Sequence, residues 1–339
     1  MRKHVYCESK FLEMCISKIE NWNFEERNFE ELQLWMCIKA MIFSKNIILH
    51  LDVNEDDIPK FDGVRPSRPY KNWQKEIAAK SKSSEIHLRL GDFVTPERID
   101  KSDNVQLTAY YLTCCDSDTC KNCMDECGVL AICPENINDF KDILYDNGTA
   151  IRKNEQITWQ NKLKFSPCNS LILVDNYILN DKRGVDNLKN IFSVLLPKNL
   201  SLDVPFQISI FTTLQNVDSN MRLTEIAQMI EGIRPELYFK LALFKCSFDK
   251  FHDRIIITNN AYINCSGGFD LINNNGKANK TTTLNIVYPF LCKSARWDSK
   301  AYSNIWDNVK ENYDKAGEFI NDNIPGFYIG DKRNRLINS

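Results

Sequence analysis

Residues 251–269 read FHDRIIITNNAYINCSGGF and contain the pattern from which the fold is best predicted. A β-branched run at 255–257 follows a histidine and an arginine, and a turn of small residues follows a second short apolar run. Residues two apart on a strand point to the same face, so we expect His252 and Arg254 to project side by side. An imidazole beside a guanidinium is a pair that can hold a phosphate group.

The second half of the chain alternates apolar runs with helical patterns. Apolar runs predict buried strands at 170–179, 205–213, 238–244 and 283–288, and helical patterns predict helices at 186–196, 224–232 and 302–319. Together with a hairpin over 252–268, this order predicts an α/β fold with a mixed sheet and helices on both faces.

The first half shows a different pattern. Broad apolar stripes predict helices at 8–20 and 28–45, and alternating residues predict strands at 85–90 and 105–112. This half is expected to be an α+β domain. The predicted organisation is an N-terminal domain at 1–155 with a cysteine-rich loop at 114–133, a second domain at 165–325, and a tail at 326–339.

The composition excludes several classes of protein. The chain has 339 residues and a net charge of −2. It therefore lacks the overall excess of positive charge that is typical of proteins that coat nucleic acid. It lacks the apolar core of a signal peptide and any run of about 18 apolar residues, so we expect no transmembrane segment. Thirteen cysteines without a secretory signal are typical of reduced thiols, which predicts a cytoplasmic location.

The second domain resembles the phospholipase D-like superfamily, whose signature is His-x-Lys-x4-Asp followed by a Gly/Ser-rich turn. The matching positions are His252, Arg254, Asn259 and the turn at 266–269, and Asp175-Asn176-Tyr177 matches the Asp-x-Tyr after the first strand of many such domains. The motif is most similar to the His-Asp-Arg form in the C-terminal domain of microtubule-interacting-and-trafficking proteins. Those domains are regarded as non-catalytic binders of lipid head groups.

Departures from the signature limit the activity that the resemblance implies. Arg254 stands where lysine is expected, and arginine can still grip a phosphate in bidentate fashion. Asn259 stands where aspartate is expected and cannot supply the negative charge that raises the basicity of a histidine. The domain has no second His-x-Lys or His-x-Arg motif, so hydrolysis would need a homodimer that pairs two copies of His252.

Three functions remain open from the sequence. The first is recognition of a phosphate-bearing partner, with nucleic acid favoured, through His252, Arg254, Asn259, Ser266 and Lys280, in a homodimer or a multi-subunit complex. The second is a dimeric nuclease or phosphodiesterase in which His252 is the nucleophile, with Arg254 and Asn259 as the other catalytic residues. The third is a scaffold without a ligand at the motif. The domain combination suggests a prokaryotic defence system by analogy alone.

Six of the thirteen cysteines lie within residues 114–133. The short spacing Cys120-x2-Cys123 suits a structural zinc site, because two thiolates on one turn can face one ion. The expected Zn²⁺ ligands are Cys120, Cys123, Cys127 and Cys133, with Cys114 or Cys115 able to replace one of them. An iron–sulfur cluster is an alternative, although the bacterial ferredoxin spacing is not kept. The remaining alternative is a surface loop of reduced thiols.

Overall fold

Short apolar runs of the sequence form strands, and longer amphipathic segments between them form helices. The computed structural model describes residues 3–22, 29–44, 47–59, 69–101, 108–140, 149–163, 167–214, 218–245, 254–287, 311, 314, 328–331 and 333–337. The strands within these residues are β1 Lys3–Cys7, β2 Ile47–Leu51, β3 His87–Leu90, β4 Thr108–Leu112, β5 Leu130–Ile132, β6 Thr149–Ile151, β7 Ser170–Val174, β8 Phe206–Thr212, β9 Phe239–Lys245, β10 Ile255–Thr258, β11 Tyr262–Cys265, β12 Thr282–Val287 and β13 Tyr328–Gly330. The helices are α1 Ser9–Glu20, α2 Phe29–Ile42, α3 Asn72–Lys82, α4 Ser117–Cys127, α5 Trp159–Lys162, α6 Lys182–Leu195 and α7 Ser219–Ile233.

The chain divides into two units. The N-terminal unit contains residues 1–124, 129–145 and 288–299, and the C-terminal unit contains residues 125–128, 146–287 and 300–339. Each unit is built on its own sheet.

The sheet of the N-terminal unit is entirely parallel. Its strand order is β3-β2-β1-β4-β5. Parallel neighbours need crossover connections, and α1 with α2, α3 and α4 supply three of them. The chain steps outward from β1 to β3 and then returns to place β4 beside β1. The unit is therefore a doubly wound α/β sheet that changes direction between β1 and β4.

The predicted α/β class is confirmed, and the structure corrects the description of the first domain as α+β. Strands β1, β2 and β5 complete a sheet whose strands alternate with helices. The sequence did not reveal β1 and β2 because Lys3, His4 and His50 interrupt their apolar pattern. All three side chains are nevertheless buried.

The cysteine-rich segment 114–133 is not a loop. It contains helix α4 and strand β5, and β5 pairs with β4 at the edge of the sheet. Asp116 precedes the helix, and its Oδ1 accepts a hydrogen bond from the backbone amide of Thr119 at 2.8 Å. This contact satisfies one of the free N–H groups at the start of the helix, which is why a segment with so many cysteines becomes helical.

The C-terminal unit contains the mixed sheet that the sequence predicts. Its strand order is β13-β9-β8-β7-β10-β11-β12-β6, with β7, β8 and β9 parallel and the other neighbours antiparallel. Every residue of β7 and β8 is buried, which explains the apolar run 171–174 in β7, and the polar Gln207, Ser209 and Thr212 of β8 are buried as well. The predicted hairpin is β10 with β11, and β10 pairs with β7.

The helices described in the C-terminal unit lie on one face of its sheet. Strands β7, β8 and β9 are adjacent in chain order, so right-handed crossovers carry α6 and α7 over the same face. These two helices contact each other, and α5 contacts α6. A helix on the second face is not among the described residues of this unit. Apart from Glu311 and Asp314, the helix predicted at 302–319 lies outside the described residues.

The segment 326–339, set apart as a tail by the sequence, contributes to the sheet and its core. Strand β13 pairs with β9 at the sheet edge. Asn334 is buried and donates from Nδ2 to Ser209 Oγ at 3.1 Å, and the backbone amide of Arg335 donates to Gln207 Oε1 at 2.6 Å. Burial lowers the pKa of Arg335 to about 9. This segment therefore covers polar side chains of β8.

Candidate phosphate-binding site

At β7 the order in which strands are added to the C-terminal sheet changes direction. Strands β8 and β9 lie on one side of β7, while β10 pairs with it on the other side. Ligands of open α/β sheets bind outside the carboxyl ends of the strands at such a point. Asp175 directly follows β7, and Arg254 directly precedes Ile255, which pairs with Val174. Asp175 and Arg254 therefore lie at the same edge.

Asp175 fixes the backbone at this edge. Only 1% of the residue is exposed. Its Oδ1 accepts a hydrogen bond from the backbone amide of Tyr177 at 2.9 Å, and its Oδ2 accepts one from the backbone amide of Phe269 at 2.7 Å. Burial raises the pKa of Asp175, and the two hydrogen bonds and Arg254 act against this effect. Asp175 thus ties the end of β7 to the turn after β11.

That turn is held against β12. Ser266 Oγ lies 2.9 Å from Thr282 Oγ1, and the backbone amide of Gly267 donates to the same hydroxyl oxygen at 2.6 Å. A Cβ on Gly267 would lie 2.8 Å from Thr282 Cβ and 3.3 Å from Lys280 Cε. The turn therefore needs a glycine at this position and places Ser266 and Lys280 close together.

Gly268 occupies the centre of the site. Its φ is +87°, a backbone conformation that favours glycine. A Cβ here would lie 3.2 Å from Asp270 Oδ1, 3.3 Å from Asp175 Oδ2 and 3.8 Å from Arg254 Cγ. Two carboxylates and one cationic side chain therefore border a single glycine.

Three cationic side chains from different elements reach this edge. Arg183, in the first turn of α6, donates from Nη2 to Asp270 Oδ2 at 3.0 Å. Lys280, which precedes β12, donates from Nζ to Asp270 Oδ1 at 2.9 Å. The Cζ atom of Arg254 lies 5.7 Å from the centre of the Tyr177 ring, within the range of a cation–π contact. Asp270 therefore positions two of the cations, and the Tyr177 ring lies against the third.

We call this group of residues the Arg254 face. It comprises Asp175, Tyr177, Arg183, Arg254, Ser266, Gly268, Asp270 and Lys280. Its cations are nearly balanced by carboxylates, because Asp181 also lies 3.6 Å from Arg183. Asp175 is already engaged by two backbone amides, and Asp270 is shared between two cations.

The structure brings three of the predicted site residues together and separates a fourth. Arg254, Ser266 and Lys280 all belong to the Arg254 face. Asn259 lies beyond the opposite end of β10, a strand of four residues that is about 13 Å long at roughly 3.3 Å per residue. His252 lies outside the described residues.

Asn259 is a buried structural residue. It is 1% exposed, its Nδ2 donates to the carbonyl oxygen of Gly128 at 2.8 Å, and its Oδ1 accepts from the backbone amide of Asn169 at 3.0 Å. Both polar atoms of the side chain therefore form hydrogen bonds with the backbone of segments that are remote in the sequence. These contacts give Asn259 a role in stabilising the fold.

Sequence reasoning missed Arg183 and Asp270 as members of the site and gave Tyr177 no role beyond its match to the Asp-x-Tyr pattern. Arg183 and Asp270 are 87 residues apart, so no local spacing connects them. Tyr177 has a sequence signal, since it stands two residues after Asp175 at the end of an apolar run. Its exposure, 43%, becomes visible only in the structure.

The four cysteines expected to bind zinc are all buried. Burial, followed by a hydrogen bond with Cys133, raises the pKa of Cys120. Among the residues that the structure describes, no group of three or more His, Cys, Asp or Glu side chains is placed to hold a metal ion. A zinc site at Cys120, Cys123, Cys127 and Cys133 therefore remains a prediction from their spacing.

The N-terminal unit contains a chain of buried histidines that the sequence did not indicate. His4 Nδ1 lies 2.8 Å from His50 Nε2, and His50 Nδ1 lies 3.0 Å from Asp92 Oδ1. The Tyr6 ring stacks on His50 with 4.3 Å between ring centres. Burial lowers the pKa of His4 to about 4 and also lowers the pKa of His50. Both rings are therefore neutral at pH 7.

Across the described parts of the chain, no helix combines the length and the apolar character that crossing a membrane requires.

Comparisons with known proteins give little further information. No protein-family model matches the chain, and no curated protein matches it significantly. Among solved structures, TrmBL2, described as an archaeal chromatin protein with a novel mode of DNA binding, is similar at 14% identity and a TM-score of 0.27. The match covers 53% of this chain and 59% of that one, which is less than two thirds of its length. At this TM-score the similarity carries no argument about function.

Proposed function

We propose that the C-terminal unit is a degenerate phospholipase D-like domain that recognises phosphate groups of nucleic acid at the Arg254 face. The observation that carries this proposal is the convergence of Arg183, Arg254 and Lys280 at the carboxyl end of β7. Arg183 lies in a helix, Arg254 directly before β10 and Lys280 shortly before β12, so the three side chains come from separate segments of the chain. Such a convergence at the ligand-binding edge of an α/β sheet supports a site for an anion.

Arg254 is the residue best suited to meet a phosphate. A guanidinium presents parallel N–H groups that fit two phosphate oxygens, and such charge-assisted hydrogen bonds are stronger than neutral ones. The nearby carboxylate of Asp175 is buried and already accepts two backbone hydrogen bonds. Asp270 keeps Arg183 and Lys280 at fixed positions, because each of its two carboxylate oxygens accepts a hydrogen bond from one of them.

Binding is better supported than hydrolysis. Asn259, one of the three residues expected to act in a nuclease, bonds to the backbone at the far end of β10. A hydrolytic mechanism would depend on His252, which lies outside the described residues. All cysteines in the described residues are free thiols, which supports a reducing compartment such as the cytoplasm, where nucleic acid is available.

Fluorescence anisotropy with a labelled oligonucleotide over a series of salt concentrations tests the proposal. Arg254→Gln should weaken binding about tenfold or more, because a hydrogen bond to a charged group is lost. It should also reduce the slope of log affinity against log salt by about 0.7, the value for one phosphate contact on a single strand.

Lys198→Gln is the matched control, since it removes one positive charge from an exposed position of the same unit. Helix α6 has 14 residues and is about 21 Å long, and it separates Arg183 from Lys198. Lys198→Gln should leave affinity and salt slope unchanged. If wild type does not bind, or if Arg254→Gln and Lys198→Gln behave alike, the proposal is wrong. Cleavage of the oligonucleotide that disappears in His252→Ala would show a nuclease instead.

A further inference from the structure

Tyr177 is an exposed aromatic ring that lies against Arg254 in the proposed site. It is 43% exposed, whereas the preceding residues Asp175 and Asn176 are buried. Single exposed apolar side chains are normal on a protein surface, so the exposure of Tyr177 alone carries no argument. What distinguishes Tyr177 is the guanidinium of Arg254, whose Cζ atom lies 5.7 Å from the centre of the ring, and this pairing suggests contact with a ligand.

The surroundings hold the ring in a defined place. The backbone amide of Tyr177 donates to Asp175 Oδ1, which fixes the residue at the end of β7. The guanidinium of Arg254 lies 5.7 Å from the ring centre. A flat platform that is positioned before binding loses little conformational freedom when a ligand stacks on it. The site therefore offers a preformed aromatic surface next to a phosphate-binding group.

An aromatic platform beside cations is the combination that recognises single-stranded nucleic acid. The base stacks on the ring while the adjoining phosphate meets the cation, and stacking tolerates any base because every base has a π-face. In a duplex the faces of the bases are already stacked on one another. A membrane surface fits less well, because a lipid head group offers no flat ring that could stack on Tyr177, whereas every base has a π-face.

We infer that the Arg254 face binds single-stranded nucleic acid, with one nucleobase stacked on Tyr177 and the neighbouring phosphate at Arg254 and Lys280. This inference rests on the proposed function and adds the class of nucleic acid and the residue that reads it. Arg254 then contacts both the ring and the phosphate and links the two parts of the site.

The test compares three ligands of equal length: a single strand, an abasic sugar-phosphate strand and a duplex. Wild type should prefer the single strand to both others. Tyr177→Ala should weaken binding of the single strand about 5- to 150-fold, the range for loss of one stacked base, and should leave the abasic strand unaffected. Tyr177→Phe keeps the ring and should bind like wild type, which guards against a general effect of substitution at this position.

Tyr238→Ala is the matched control. Tyr238 is 47% exposed and directly precedes β9, so it lies at the amino end of a strand that runs parallel to β7. It is therefore at the opposite edge of the same sheet, and its loss should not change affinity.

Failure of the inference is distinguishable from failure of the proposed function. If wild type binds and Arg254→Gln weakens binding, but Tyr177→Ala affects the single strand and the abasic strand equally, the stacking role is refuted and the phosphate site stands. Equal affinity for the duplex refutes the choice of single strands. If no nucleic acid binds but phosphatidylserine vesicles do, in a manner that depends on Arg254, both proposals are overturned in favour of a lipid head group.

Discussion

Replacing Asn259 by alanine separates a structural role from a binding role at this position. The substitution leaves the carbonyl oxygen of Gly128 and the backbone amide of Asn169 without the hydrogen bonds that Asn259 makes at 2.8 and 3.0 Å. The side chain is 1% exposed, so water does not readily replace it. Each buried group left unsatisfied costs about 1–3 kcal/mol, and two such groups give a loss of about 2–6 kcal/mol in the free energy of unfolding.

Hydrogen–deuterium exchange measures this loss locally, which matters because a chain with two units need not unfold in one step. The peptides that contain β7 and β10 should exchange faster in Asn259→Ala, whereas peptides of the N-terminal sheet should not change. Denaturant midpoints for the C-terminal unit should fall in parallel. Affinity for nucleic acid, measured where the variant is folded, should stay close to that of wild type.

Asn199→Ala provides the control, since Asn199 is an exposed asparagine of the same unit. The free energy of unfolding of Asn199→Ala should stay within about 0.5 kcal/mol of wild type. The reasoning is refuted if Asn259→Ala unfolds like Asn199→Ala but loses affinity for nucleic acid. That result would make Asn259 a ligand contact, as the signature alone suggests.

Acidification should destabilise the N-terminal unit, because burial holds the pKa of His4 at about 4 and also lowers that of His50. As the pH falls, the histidines take up protons in the unfolded state before they do so in the folded state, so the stability present above pH 6.5 is lost toward pH 4. The free energy of unfolding of His4→Gln should therefore depend less steeply on pH in that window. The zinc proposal predicts about one zinc per chain by elemental analysis and its loss in Cys120→Ser. Leu336→Ala should cost about 2–5 kcal/mol in chemical denaturation, since this C-terminal side chain is 1% exposed.

Each of these predictions has an outcome that contradicts it. An unchanged pH slope in His4→Gln would place the acid sensitivity elsewhere. Absence of zinc from the purified protein would leave the cysteines of 114–133 as reduced thiols, four of them buried. A Leu336→Ala variant as stable as wild type would mean that the last residues do not pack as the structure shows.

The strands of the C-terminal sheet are predictable because burial on both faces leaves a continuous apolar signal. Strands β7, β9 and β10 contain the apolar runs 171–174, 241–244 and 255–257, whereas Gln207 and Ser209 interrupt the apolar residues of β8. In the N-terminal sheet the same rule fails at β1 and β2, where buried His4 and His50 hydrogen-bond to each other across 46 residues of sequence. A polar residue in a strand is predicted to be exposed unless its hydrogen-bond partner is known. That partner is set by the tertiary structure and not by the local sequence.

The site also contains residues that local sequence predicts and residues that depend on tertiary packing. Arg254 and Ser266 belong to one local motif, and Lys280 lies close enough in sequence to be assigned to the same hairpin. The contact of Arg183 with Asp270 depends on how α6 packs against the turn, which no spacing encodes. The role of Asn259 was predicted from its place in the motif, but its hydrogen-bond partners, Gly128 and Asn169, determine what it does.

The most direct measurement locates bound nucleic acid on the protein. A single-stranded oligonucleotide that carries iodouracil is irradiated with the full chain, and the crosslinked peptides are identified by mass spectrometry. The dominant crosslink should fall on Tyr177 and should be lost when Arg254 is changed to glutamine. Crosslinks at Tyr238 or only within the N-terminal unit would contradict binding at the Arg254 face.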